Sequence, residues 1–220
     1  MLWGRKSGVW VLAMTLGLMG ASRANGGGSR ERVYIANRAS NTPQEATAPI
    51  KVGTAPVALA LTPDGSKAYV VNSGSHNVSV INTTTLQLTK TIPVGLKPKA
   101  ILVTPNGQRA YVANSVPGEE SVSVIDTATD TLLHTLPVPR PTPSVLALNP
   151  DGRVLYVLGS GSRFVTVVDT TTHRQGRIEA GQDPVAVTFS PDGTKAYIIN
   201  QGDNTVSVFN ATTFPPTRIR

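Results

Sequence analysis

The stretch "TPDGSKAYVVNSGSHNVSVIN" runs from Thr62 to Asn82, and "SPDGTKAYIINQGDNTVSVFN" runs from Ser190 to Asn210, 128 residues further on. Near-repetition at that distance marks an internal duplication, and its period decides the architecture. The anchor is a proline followed closely by glycine, at Pro63, Pro105, Pro150 and Pro191, in steps of 42, 45 and 41 residues. Seven residues before each stands another proline: Pro56, Pro98, Pro143 and Pro184. Six residues after each stands a tyrosine: Tyr69, Tyr111, Tyr156 and Tyr197. The fifth and last tyrosine, Tyr34 in "RVYIAN", begins a further copy, so every tyrosine of the chain occupies one repeat position.

Each unit reads as four short strands. "VALAL", "AILVT", "VLALN" and "VAVTF" follow the first proline. A Pro-Asp-Gly or Pro-Asn-Gly turn comes next, because proline presets φ and glycine accepts positive φ. The second strand is "AYVVN", "AYVAN", "LYVLG" or "AYIIN". The third, "VSVIN", "VSVID", "VTVVD" or "VSVFN", alternates strictly with β-branched residues. A Thr-rich turn then leads to a less regular fourth strand such as "LQLTKTIPVG". Turn signals recur every few residues and no helical period appears, so the chain is all-β. A unit of about 42 residues holding four strands is the size of a propeller blade. A lone four-stranded sheet has two apolar faces, which neighbouring blades must cover. Small residues in the first strand (Ala58, Ala60, Ala100, Ala147, Ala186) suit the crowding near a central axis.

Residues 1–24 read as a cleaved signal peptide, with Arg5 and Lys6 ahead of an uncharged apolar run from Val9 to Ala21. Ser22 and Ala24 supply small residues at the −3 and −1 positions of a cleavage site. The run is shorter than the roughly 20 residues a spanning helix needs, so no transmembrane segment is expected after cleavage. A short N-terminal segment, 25–31, precedes the repeats at 32–220: a partial unit at 32–51 and full units at 52–93, 94–137, 138–179 and 180–220. The absence of cysteine removes disulfides, thiolate metal sites and cysteine nucleophiles together. The formal charge of +7 falls to +4 once Arg5, Lys6 and Arg23 leave with the leader, a mild bias that selects no partner.

The words "YVVN" at Tyr69, "YVAN" at Tyr111, "YIIN" at Tyr197 and "YIAN" at Tyr34, with "PDG", "VSVID" at Val122 and "TIPVG" at Thr91, resemble the YVTN family of β-propeller repeat proteins. The likeness extends over about Arg30 to Arg220, and the third unit departs from it, with Gly159 in place of asparagine. The resemblance implies a seven-bladed ring, often exported in bacteria or displayed on archaeal surfaces. Four full units and one partial unit fall short of seven. Either the chain is an incomplete, truncated ring or an open arc closes with a second copy, its unsatisfied blade edges inviting self-association.

Strand order puts the connections between units and the loops after Tyr-x-x-Asn on one face. Candidate ligand-binding residues there are Arg38, His76, Lys97, Lys99, Glu119, Glu120, Arg140, Arg163, Asp183 and Asp203. Their charges mix in sign and scatter over all units, as on a solvated rim. His76 falls in a first-face loop, His134 in a fourth strand and His173 in an opposite-face turn, which makes neither a metal cluster nor a catalytic triad. No catalytic residue, metal or cofactor is assigned. The opposite face carries Lys67, Arg109, Arg153 and Lys195, one basic residue per full unit, a ring able to touch nucleic acid phosphates. Asp64, Asp151 and Asp192 lie within three residues of three of them and offer local neutralisation instead. The expected protein is an exported, periplasmic or extracellular, non-catalytic scaffold that binds a protein, a cell-wall polymer or a small ligand. Lactonase-type hydrolysis, quinoprotein-like oxidation and DNA binding are the alternatives.

Overall fold

A computed structural model of the chain describes residues 50–138, 142–159 and 161–219. The leader, the segment 25–31 and nearly all of the partial unit at 32–51 lie outside the described residues. Sixteen strands form four antiparallel sheets of four. The first blade holds β1 (Pro56–Leu61), β2 (Lys67–Asn72), β3 (Asn77–Asn82) and β4 (Gln87–Pro93). The second holds β5 (Pro98–Val103), β6 (Arg109–Asn114), β7 (Ser121–Asp126) and β8 (Thr131–Pro137). The third holds β9 (Val145–Leu148), β10 (Val154–Leu158), β11 (Phe164–Asp169) and β12 (Gln175–Glu179). The fourth holds β13 (Pro184–Phe189), β14 (Lys195–Asn200), β15 (Thr205–Asn210) and β16 (Thr217–Arg218). Strands pair in chain order within each sheet, and the first strands of successive blades touch, which places them innermost. These are propeller blades in an arc, the fourth-strand edges turned outward.

Because side chains alternate across a strand, each blade has two apolar faces, and at the three boundaries between described blades these faces are buried against one another. Tyr69, Val71, Val78 and Val80 of the first blade pack on Ala110, Val112 and Ile125 of the second. Tyr111, Val122 and Val124 meet Leu155, Val157 and Val168 across the next boundary. Tyr156, Leu158, Val165 and Val167 meet Ala196, Ile198 and Phe209 across the last. The fourth blade breaks the series. Ile199 and Val206 are 47% and 57% exposed, whereas their counterparts Val71 and Val78 are fully buried. No described blade lies against that face.

The repeated prolines and glycines set the spacing between blades. Gly107, at φ +72°, sits on the ring of Pro63 from the previous blade, where an added Cβ would lie 3.2 Å from Pro63 Cδ. Gly152 rests on Pro105 in the same way, at 3.0 Å, and Gly193 on Pro150 at 3.5 Å. Two constraints therefore meet at one residue: a left-handed turn and a close approach by a ring.

The Tyr-x-x-Asn asparagines are buried structural joints. Asn114 Nδ2 donates to Ser121 Oγ (3.1 Å) and Ser123 Oγ (3.0 Å), Asn72 Nδ2 to Asn77 Oδ1 and Ser79 Oγ, and Asn200 Nδ2 to Thr205 and Ser207. Gly53, Gly95 and Gly181, ahead of each first strand, abut these asparagines so tightly that a Cβ would fall within 2.8 Å of them. In the third blade Gly159 removes the amide. Thr166, at the position of Ser79, Ser123 and Ser207, is left with a buried hydroxyl and no hydrogen-bond partner.

Candidate functional site

On the first face the candidate residues are engaged in local joints spread along the arc. His76 takes a left-handed backbone (φ 55°), and its Nδ1 accepts the Lys97 amide at 3.2 Å, tying the loop after β2 to the connection into β5. Lys99 is the extra residue of a bulge at the start of β5 and is exposed. Glu120 accepts the Gly118 amide at 3.0 Å within the long loop after β6, while Glu119 points to solvent. Asp183 Oδ1 accepts the Gly161 amide (2.8 Å), and Asp203 takes the Gln182 amide (3.0 Å) and the Thr205 hydroxyl (2.7 Å). Those bonds hold the Asp203 carboxyl below its usual range, the Thr205 hydroxyl contributing most. Arg163 and Glu179 form a half-exposed ion pair at 3.4 Å. Arg38 and Arg140 lie outside the described residues. The structure thus joins His76 to Lys97 and Asp183 to the Asp203 loop, and leaves the others apart.

A concavity opens on the other face, a cleft of about 690 Å³ where the turns of the first and second blades meet. Its charged lining is Asp64, Lys67, Arg109 and Asp126. Lys67 Nζ reaches Asp130 at 2.7 Å and the Thr127 carbonyl at 2.8 Å, and Arg109 Nη1 reaches Asp126 at 2.6 Å. Tyr69, buried beneath, donates its hydroxyl to Asp130 Oδ1 at 2.5 Å. Burial first, then that hydrogen bond, push the Tyr69 phenol far above its ordinary value, so it stays protonated. Asp126 sits below the usual carboxylate range chiefly because the Thr129 amide, then its hydroxyl, donate to it. Asp64 is lowered mainly by the Thr62 hydroxyl (2.5 Å) and the Ser66 amide (3.0 Å).

Two corrections to the sequence reading follow. Lys67 and Arg109 are neutralised across strands and blades by Asp130 and Asp126, while Asp64 caps its own turn. Asp151 and Asp192 likewise accept the Arg153 and Thr194 amides, as turn builders. Second, the histidines are not three separate environments: the His134 and His173 rings meet edge-to-face with centroids 5.1 Å apart. The β3–β4 turn of each blade lies beside the fourth strand of the one before, as Lys90 shows by donating to the Thr129 carbonyl at 3.0 Å. Among the described residues no group of three or more His, Cys, Asp or Glu side chains is placed to hold a metal ion. Nor does any described helix have the length and apolarity to cross a membrane.

Over 134 residues, 59% of this chain, the sequence is 36% identical to the seven-bladed beta-propeller protein Rv1057 of Mycobacterium tuberculosis, of which it covers 34%. Among solved structures, Kuenenia stuttgartiensis hydrazine synthase superposes with a TM-score of 0.67 at 26% identity, over 80% of this chain and 56% of that one. A putative 6-phosphogluconolactonase from Bacteroides uniformis superposes at 0.63 and 14% identity, over 75% of this chain and 53% of that one, a likeness of fold alone. The chain spans about a third of the curated relative and about half of each structure. The family model for the choice-of-anchor I domain matches residues 75–220, which takes in β3 and β4 of the first described blade and all of the other three. By that match, and by the blades it encloses, the chain belongs to the choice-of-anchor I domain family and is built as a β-propeller.

Proposed function

We propose that the chain is an exported, YVTN-type β-propeller module that binds a protein, a cell-wall polymer or a small polar ligand without chemical turnover. One observation carries this reading. Both cations lining the cleft between the first two blades are paired, Lys67 with Asp130 and Arg109 with Asp126, and the acids whose pKa moves there move downward. General acid–base catalysis needs a group poised near the working pH, and carboxylates this stabilised as anions are poor bases. Fixed dipoles and ion pairs around an open polar cleft instead suit recognition of a polar partner, with specificity coming from their placement. The family's description as a choice-of-anchor domain fits a chain carried to the cell surface.

The test uses purified chain against immobilised cell-wall polymer, a peptide array and a lactone panel. Saturable binding that weakens about tenfold in Arg109→Ala, with the melting temperature unchanged, supports the reading. Turnover of any lactone above background, or a salt-sensitive shift of DNA with no binding elsewhere, overturns it in favour of a hydrolase or a nucleic-acid binder.

A further inference from the structure

At the outer rim of the Pro-Asp-Gly face, one repeat position carries a different chemistry at each blade boundary. Between the first and second blades it is Asp130 (φ 54°), which takes the Lys67 ammonium and the Tyr69 hydroxyl while Lys90 reaches the adjacent Thr129 carbonyl. Between the third and fourth it is Phe214, and Pro215 beside it packs on Gly176, where a Cβ would lie 2.9 Å from the proline. Between the second and third it is His173 (φ 58°). Its neighbour His134 pairs with Val124 just as Lys90 pairs with Val80, so imidazoles stand at the positions of Asp130 and Lys90.

The counterparts of Lys67 and Tyr69 do not enter that middle boundary as those two enter the first. Arg109, the counterpart of Lys67, turns away to Asp126 at 2.6 Å. Tyr111, the counterpart of Tyr69, is fully buried, and its hydroxyl has no hydrogen-bond partner. The groups acting on His173 are His134, Arg109 and Asp169, and its own burial does most to keep it neutral. Neutral imidazole is the form that binds metal, since a protonated ring has no free lone pair. His134 is exposed and His173 half-buried, so an ion can enter from solvent.

We propose that His134 and His173 are a two-imidazole chelate for a borderline divalent transition-metal ion, zinc or nickel, clamped across the boundary between the second and third blades. Two imidazoles on one tetrahedral ion, with metal–nitrogen bonds of about 2.0–2.1 Å, have ring centroids about 5 Å apart. The rings here are 5.1 Å apart at 67°, so they need reorient rather than travel. Water from solvent, which reaches exposed His134, completes the coordination. The Asp169 carboxylate offsets the ion's charge, and Arg109 is already neutralised by Asp126. With two protein ligands the site is a labile one, its ion linking two blades rather than building a closed structural centre.

Zinc or nickel chloride alone, titrated calorimetrically into the full chain at about pH 7.5, tests this. One equivalent binds, and the affinity falls about tenfold or more in His134→Gln and in His173→Gln but not in His76→Gln, the remaining histidine of the three. Metal also raises the melting temperature of the wild type and of His76→Gln only, as binding to the folded state requires. Should a variant fail to fold, proton NMR of the wild type decides: zinc shifts the imidazole signals of His134 and His173 and leaves those of His76. Absence of saturable uptake at about 100 µM metal, uptake retained in both variants, or equal perturbation of His76 overturns the proposal.

Discussion

Replacing Thr166 by valine stabilises the protein, although it deletes a polar group from the middle of a strand. Thr166 is 2% exposed and its Oγ1 has no partner, because Gly159 stands where the other blades supply an asparagine amide. A buried, unpaired hydroxyl costs about 1–3 kcal/mol, and valine fills the same volume with a methyl group in its place. The gain is therefore about 1–3 kcal/mol, and each kcal/mol moves the melting temperature by about 2–4 °C in a chain of this size. Ser123→Ala, at the equivalent position of the second blade, supplies the control. Ser123 accepts Asn114 Nδ2 at 3.0 Å, so its loss removes a made hydrogen bond and destabilises by about 0.5–1.5 kcal/mol. Urea titration followed by circular dichroism reads both, with an unchanged m-value confirming that the unfolded reference has not moved. A lower midpoint for Thr166→Val, or shifts of the same sign for the two variants, refutes the reasoning that the asparagine amide is what the third blade lacks.

Gly95→Ala places a methyl 2.5 Å from Asn114 Nδ2 and 2.6 Å from its Cγ, and overpacking of that kind lowers stability by about 1–3 kcal/mol in the same urea assay. Asp64, Asp126 and Asp169 have folded pKa values below their ordinary 3.8, so the unfolded chain binds protons first on acidification. Their contribution is whole above about pH 5 and is lost as pH falls through the folded values, so the urea midpoint drops between pH 5 and pH 3, less steeply in Asp126→Asn. The face of the last blade on which Ile199 and Val206 are exposed, with no described blade against it, is expected to make the chain self-associate. Light scattering detects assemblies that dissociate in Ile199→Lys; a wild type that stays monomeric at about 100 µM refutes this.

The repeat was legible because its residues satisfy constraints internal to one blade. A proline and a glycine make a turn, alternating valines make a half-buried strand, and both are periods a single sequence displays. Gly159 was visible as a departure, yet its cost fell on Thr166, seven residues away on the facing strand. The cleft and the histidine pair were harder to see for a different reason. Lys67 meets Asp130, and His134 meets His173, only because one blade's turn lies beside the strands of the blade before it. That lateral offset is a property of the arc and leaves no local pattern. Strand order assigns the candidate rim residues to one face, but order along the chain says nothing about which of them share a partner.

The glycine-on-proline contacts bear on how such a chain grows. Adjacent units are held in step by a main-chain turn resting on a rigid ring, Gly107 on Pro63, Gly152 on Pro105 and Gly193 on Pro150. A duplicated segment inherits its angle to its neighbour together with its own turn, so segments are gained or lost whole while the curvature persists. The exposed tips are then free to drift toward new partners without disturbing the stack beneath them.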